Sequence, residues 1–182
     1  MNTYPFTCPN SLSMSLIPYA DLSSEESRPL VDRIVAERGS VLDLYQMLLH
    51  SPPIAEGWLN YLTAVRQKSS LPGGLRELVI VRIALINDAP YEAEQHIPIA
   101  LKEGITQAQI DALKDWENSD QFDDTLRRVL AYTDAMTKHV KVPADVAGAV
   151  KDTFSHRQLV ELTATIGAYN MVSRFLEALQ IH

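Results

Sequence analysis

LPGGLRELVIVRIALIN, Leu71 to Asn87, opens on a proline and two glycines and then turns almost wholly apolar. Turn residues ahead of a long apolar run read as a loop feeding a helix. Only Arg76, Glu77 and Arg82 interrupt that run. A helix that is apolar all round must be covered all round, so the pattern predicts a central element with others packed about it.

The flanking segments keep a helical period. Upstream, SSEESRPLVDRIVAER is expected to start on a Ser cap from Ser23, carry acids in its first turn, turn Leu30, Val31 and Ile34 to one side and stop before Gly39. VLDLYQMLLH reads as a short helix ended by Pro52 and Pro53, and IAEGWLNYLTAVRQK spaces Ile54, Trp58, Leu62 and Val65 at three and four. Downstream, a helix from about Pro90 has Asn87 or Asp88 as its cap, a kink expected at Pro98 and its end at Gly104. GITQAQIDALKDW is a short capped helix. FDDTLRRVLAYTDAMTKH is longer, with Leu126, Val129, Leu130, Tyr132, Ala135 and Met136 facing the core. VPADVAGAVKDTF leads into SHRQLVELTATIGAYNMVSRFLEAL, capped by Ser155 and packed through Leu159, Leu162, Ile166, Met171 and Leu176. Met47, Met136 and Met171 read as packing residues. No convincing period-two alternation marks a strand. The expectation is an all-α, compact multi-helix single domain over residues 14–182, preceded by a Ser-, Asn- and Pro-rich tail, 1–13, with Met14 offering a second start.

Composition narrows the partners. The 182 residues are 46% hydrophobic and 21% charged, ordinary for one globular domain, and the net charge of -7 argues against nucleic acid or an anionic membrane as the main partner. Cys8 is the sole cysteine, so no intrachain disulfide and no dithiol redox pair can form. There is no run long enough to cross a bilayer and no signal-peptide pattern at the start, and a cytoplasmic setting is expected. A small-molecule substrate is the expected partner.

Chemistry concentrates in NDAPYEAEQHIPIA, Asn87 to Ala100. Glu92 and His96 stand at i and i+4, one face of a helix, where a carboxylate can orient an imidazole and hold its proton. Glu94 should point elsewhere. Glu77, on the apolar helix before it, is expensive to bury unpaired and is expected near the surface or paired with Arg76, Arg82 or His96. Plainer readings stay open: Glu92 and His96 as a solvated surface pair, Glu77 as a salt bridge, Tyr169 and Asn170 as core and interhelical bonding. Metal ligation is disfavoured, because His50, His139, His156 and His182 are isolated and no HExxH occurs. No metal and no cofactor are expected.

The run LPGGLRELVIVRIALINDAPYEAEQHIPIA, then Gly104 and ELTATIGAYNMVSRFLEAL, resembles the carboxymuconolactone decarboxylase and alkylhydroperoxidase D superfamily, and the upstream LYQMLLHSPPIAEGWLNYL is similar to its longer single-domain members. The resemblance covers most of the chain from about Ile17. It implies an all-helical fold and homo-oligomers, commonly trimers or hexamers. In the peroxidase branch a CxxC pair precedes a histidine by four residues, and a glutamate one helix earlier relays protons. Those positions fall here on Ala89, Glu92, His96 and Glu77. Both cysteines are missing, so neither Ala89 nor Glu92 can attack a peroxide or resolve a sulfenic acid.

What the resemblance leaves is proton handling by Glu77, Glu92 and His96, the expected catalytic residues, with Tyr91, Arg82 and Asn170 as expected substrate-binding residues. The decarboxylase branch needs no thiol: losing carbon dioxide from a carboxylated lactone makes an enolate-like carbanion that must be stabilised and protonated. Two carboxylates repel an anionic substrate unless one is protonated or a cation helps, and Arg76 and Arg82 are the nearby candidates. A decarboxylase-like lyase is the leading expectation. A peroxidase-related antioxidant protein using an external thiol, and a non-catalytic helical binding oligomer, are the alternatives.

Overall fold

The computed structural model describes residues 15–181. The expected tail, Cys8 and Met14 lie outside the described residues, as does His182. In chain order the helices are α1 (Arg28–Arg38), α2 (Asp43–Leu48), α3 (Pro52–Gln67), α4 (Gly73–Ile86), α5 (Pro90–Lys102), α6 (Gln107–Ala112), α7 (Asp124–Lys138), α8 (Ala144–Lys151) and α9 (His156–Ala178), with a 3-10 segment, Leu113–Asn118, after α6. Among the described residues there is no strand, and the architecture is all-α.

Helix α4 is central, as its apolar sequence predicts, and packs chiefly on α5, α9 and α7. It parts two hydrophobic clusters. Leu75, Val79, Ile80 and Ile83 belong to the larger, with α1, α2, α3 and α9. Leu78 and Val81 belong to the smaller, with Ala100, Ile105, Ile110, Leu113, Trp116, Phe122 and Leu130. Each fully buried aliphatic side chain of this kind contributes about 1.5–3 kcal/mol.

The ends of α4 and α5 set their mutual placement. A Cβ on Gly74 would come within 2.9 Å of the Glu103 backbone oxygen, so the glycine lets the turn after α5 close over the start of α4. That turn is a Schellman motif. Gly104, at φ +94, donates to the Leu101 carbonyl, and Ile105 donates to the Ala100 carbonyl. At the opposite end, α4 passes to α5 through Asn87, Asp88 and Ala89, with Asp88 left-handed at φ +52. Asp is among the few side chains that accept that conformation.

Several local expectations are corrected. Helix α1 begins at Arg28, with Pro29 in its first turn; Glu25 and Glu26 lie ahead of it in a turn closed by the Arg28 N–H on the Ser24 carbonyl. The α5 N-cap is Ala89, without a side-chain cap, because Asn87 ends α4 and gives its amide to Asn170 while Asp88 is turned left-handed. Ile54 is 56% exposed in the first turn of α3, and Met171 is 38% exposed on α9. Helix α5 runs on through Pro98 to Lys102. The caps at Thr106 and Ser155 are full capping boxes with Gln109 and Gln158.

Candidate active site

The α4–α5 pairing buries three ionisable groups together. Glu77, Glu92 and His96 are 1%, 4% and 5% exposed. Glu77 comes from α4 and lies across from α5, where Glu92 and His96 occupy one face a turn apart. Glu94 is exposed, on another side of the helix.

The imidazole sits between the two acids. Its Nδ1 is 2.6 Å from Glu77 Oε2, and its Nε2 is 3.4 Å from Glu92 Oε1, contact range but long for a good hydrogen bond. The other Glu77 oxygen accepts from Arg76 Nε at 3.2 Å. Burial pushes the Glu77 carboxyl up, but the hydrogen bond from His96 and the positive charges around it, Arg66 and Arg76 included, outweigh burial and hold it below its usual range. Burial pulls His96 down despite its bond to Glu77, and the like charges of Arg66 and Arg76 add to that. Glu92 is pushed up to about 8, mainly by burial and further by the negative Glu77, with Arg66 opposing.

These directions assign the protons near neutral pH. Glu77 is a carboxylate, Nδ1–H of His96 donates to it, Nε2 is a free base, and Glu92 is a protonated acid facing that base. Arg76, Glu77, His96 and Glu92 thus form a line of ion pair, imidazole and carboxylic acid. Such a line can accept a proton at one end and return it at the same end without leaving a buried charge unbalanced.

Two residues outside the expected catalytic set join this group. Tyr169 of α9 sets its ring edge-on to His96, centroids 5.1 Å apart, and its hydroxyl is buried with no hydrogen-bond partner among the described residues. Arg66, in the last turn of α3, is half-buried, and its charge acts on Glu77, Glu92, His96 and Tyr169. Tyr169 is core, as expected, and Arg66 was not singled out in the sequence. The only available signal was a cation placed two turns after Trp58 on the same face of α3.

The expected substrate-binding residues, Arg82, Asn170 and Tyr91, make contacts of their own. Arg82 grips Asp134 with two bonds, 2.7 and 2.6 Å, and gives its remaining nitrogen to the Leu113 carbonyl at 2.7 Å. Lys138 and Trp116 also contact Asp134, which is held below the usual carboxylate range against the pull of burial. Arg82 is therefore a tie between α4 and α7. Asn170 donates to Thr137 and to the Ile166 carbonyl and accepts from Asn87 and Arg174, which joins α4, α7 and α9. Tyr91 packs against the larger cluster, and burial together with Asp43 raises its hydroxyl to about 12. Cavities of about 380 and 430 Å3 open at α7–α8 and at α1–α3, bordered by Trp116 and Arg127 and by Leu30 and Pro53, and neither borders the acid–histidine group. Among the described residues no cluster of three or more His, Cys, Asp or Glu could hold a metal, and no helix is long and apolar enough to cross a membrane.

Comparison with known proteins agrees with the helical layout. Residues 52–135 match the carboxymuconolactone decarboxylase family. No curated protein matches the chain. A protein of unknown function from Agrobacterium tumefaciens, provisionally assigned to AhpD antioxidant defence, is 24% identical, with a TM-score of 0.69 over 73% of this chain and 92% of that one. An uncharacterized peroxidase-related protein from Silicibacter sp. TM1040 is 16% identical, with a TM-score of 0.77 over 98% and 95%. The debrominase Bmp8, in a variant bound to 2,3,4-tribromopyrrole, is 15% identical, with a TM-score of 0.75 over 94% and 91%. At these identities the likeness to each solved structure is one of fold. The family match spans 84 of the 182 residues, the architecture is the fold of these AhpD-like and peroxidase-related structures, and the chain has one cysteine and no CxxC pair.

Proposed function

We propose that the chain is a cofactor-free acid–base enzyme of the decarboxylase-like kind, acting on a small carboxylated or lactone-type substrate. The observation that carries this reading is the placement of one buried imidazole between two buried carboxyl groups, one of them held below and the other pushed above its usual range. Loss of carbon dioxide breaks a carbon–carbon bond and leaves its electron pair on the carbon next to a carbonyl, as an enolate. Glu92, protonated near neutral pH, gives its proton to that carbon. Water returns a proton to Glu92, with His96 Nε2 as the intermediate base and Glu77 holding the ring in place. Assembly into a homo-oligomer and a cytoplasmic setting belong to the same proposal.

A second reading is a peroxidase-related antioxidant protein supplied with an external thiol. The names of the similar structures favour it over decarboxylation, since antioxidant defence and peroxidase relationship recur among them. Against it stands the missing thiol pair: an external dithiol can supply both electrons, but the chain has no CxxC to carry them to the peroxide, and Cys8 is its sole cysteine. The third reading, a helical binding oligomer without catalysis, predicts no turnover in either assay.

Both enzyme readings meet in one experiment. Carbon dioxide release from carboxylated lactones and keto acids is followed beside hydroperoxide consumption with an external dithiol, for the wild type, His96→Ala and Cys8→Ser. Release that His96→Ala abolishes and Cys8→Ser leaves intact supports the acid–base reading. Hydroperoxide turnover that survives Cys8→Ser supports the second, and background rates in every carbon dioxide assay sink the first.

A further inference from the structure

We propose that Tyr169 and Arg66 form a carboxylate-binding subsite of the acid–histidine group, with the Tyr169 hydroxyl donating a hydrogen bond to the substrate and Arg66 supplying its counter-charge. The inference rests on the acid–base reading of that group and names the substrate class it takes: a small organic anion bearing a carboxylate.

An unpartnered hydroxyl in a closed interior is costly, and a residue that had only to fill space there would fold more favourably as Phe. Tyr169 is 1% exposed, yet its Oη has no partner among the described residues. The ring stands perpendicular to His96 with centroids 5.1 Å apart, which sets this α9 residue beside the reacting groups. A neutral phenol is a donor suited to a carboxylate or enolate oxygen.

The cation is one of the two that act on Glu77 and His96, Arg66 and Arg76. An anionic substrate bound beside Glu92 and His96 needs a positive charge that is not already engaged. Arg76 is paired with Glu77, and Arg82 is bound on three nitrogens by Asp134 and Leu113. Arg38 and Arg157 also meet carboxylates. Among the described residues Arg66 meets none, and it belongs to α3, which packs on α9 through Trp58 against Phe175 and through the Tyr61 hydroxyl on the Ala164 carbonyl. Its charge reaches all four members of the group. The difficulty of two acids facing an anion is thereby removed: Glu92 is neutral, and Arg66 balances what Arg76 does not.

The test uses two stable probes, γ-carboxy-γ-butyrolactone and its methyl ester, titrated into the full-length protein by calorimetry, with the His96 ring followed by NMR. The acid is expected to bind about tenfold more tightly than the ester and to shift the His96 resonances. Arg66→Gln should erase that preference while leaving ester binding unchanged, and Arg66→Lys should restore part of it. Tyr169→Phe should raise the thermal midpoint, since the orphaned hydroxyl is gone, and weaken both probes by about fivefold to tenfold. A structural role alone would move the midpoint and leave affinity untouched. Equal binding of acid and ester by the wild type, an acid preference that survives Arg66→Gln, or undiminished affinity in Tyr169→Phe overturns the proposal. Binding needs no turnover. An Arg66-dependent preference in a protein that releases no carbon dioxide from any substrate would therefore uphold the subsite and reject the acid–base reading.

Discussion

His96 Nδ1 lies 2.6 Å from Glu77 Oε2, and this buried bridge joins α5 to α4. Glu77 thereby fixes which nitrogen of the ring carries the proton. In Glu77→Gln the amide can donate to Nδ1 and move the ring proton to Nε2, where it blocks acceptance from Glu92. Turnover is expected to fall by about 10²- to 10⁴-fold with helicity intact. Nitrogen-15 chemical shifts of the imidazole report the tautomer directly, and an unchanged tautomer would break the link between Glu77 and the ring.

The Glu92 carboxyl titrates near 4.5 when unperturbed and is pushed up to about 8 in the folded chain. Between these limits the unfolded chain gives up a proton that the folded chain retains. The contribution to stability is therefore complete below the lower value and is lost as pH rises through the upper one. Glu92→Gln removes this slope. Relative to wild type, its urea-unfolding free energy should climb with pH across that window, by at most roughly 5 kcal/mol. In the wild type, kcat/KM should decline as pH rises past about 8, where the acid loses its proton.

Asp134 and Arg82 form a buried pair remote from the acid–histidine group. Asp134→Ala leaves a guanidinium enclosed without its partner and is expected to cost about 3–5 kcal/mol by denaturant titration. Lys138, whose side chain is 45% exposed, also contacts Asp134, and Lys138→Ala should cost under about 1 kcal/mol. The activity per folded molecule should be the same in both variants. A large loss of kcat in the folded fraction of Asp134→Ala would bring Arg82 back as a substrate-binding residue.

Gly73 and Gly74 look equivalent in sequence and should respond differently to alanine. A methyl on Gly74 meets the Glu103 backbone oxygen at 2.9 Å, where the chain has no room to give, and about 1–3 kcal/mol of destabilisation is expected. A methyl on Gly73 meets only the carboxylate end of the exposed Glu103 side chain, which can swing away. Gly73→Ala should then be neutral, or stabilising by up to about 1 kcal/mol through helix propensity. Thermal midpoints of the two variants separate these outcomes.

The parts of this molecule that were legible in its sequence are those set by short-range pattern. The largely apolar run from Leu75 to Ile86 announces a central helix, and the i, i+4 spacing of Glu92 and His96 announces a shared face. The Thr106 and Ser155 starts are equally local, since cap and partner are three residues apart. Pairings over long separations leave no such trace. Asp134 stands 52 residues from Arg82, and nothing near Arg82 says that its fork is filled. Tyr169 meets His96 from α9 and the charge of Arg66 acts on it from α3, each looking in the sequence like an ordinary member of its helix. The α5 cap was missed for a conformational reason: Asp88 bends the chain instead of bonding to the helix.

The left-handed Asp88 acts as a ruler. With three residues between α4 and α5, the hairpin has no slack with which to rotate one rod against the other. Inserting a single residue there would turn α5 by roughly 100° about its axis and swing the imidazole off Glu77, although every helix could still form. Lineages sharing this chemistry must therefore keep the length of that hinge while their helices drift in composition, so indels at Asn87–Ala89 would mark descendants that have abandoned the reaction.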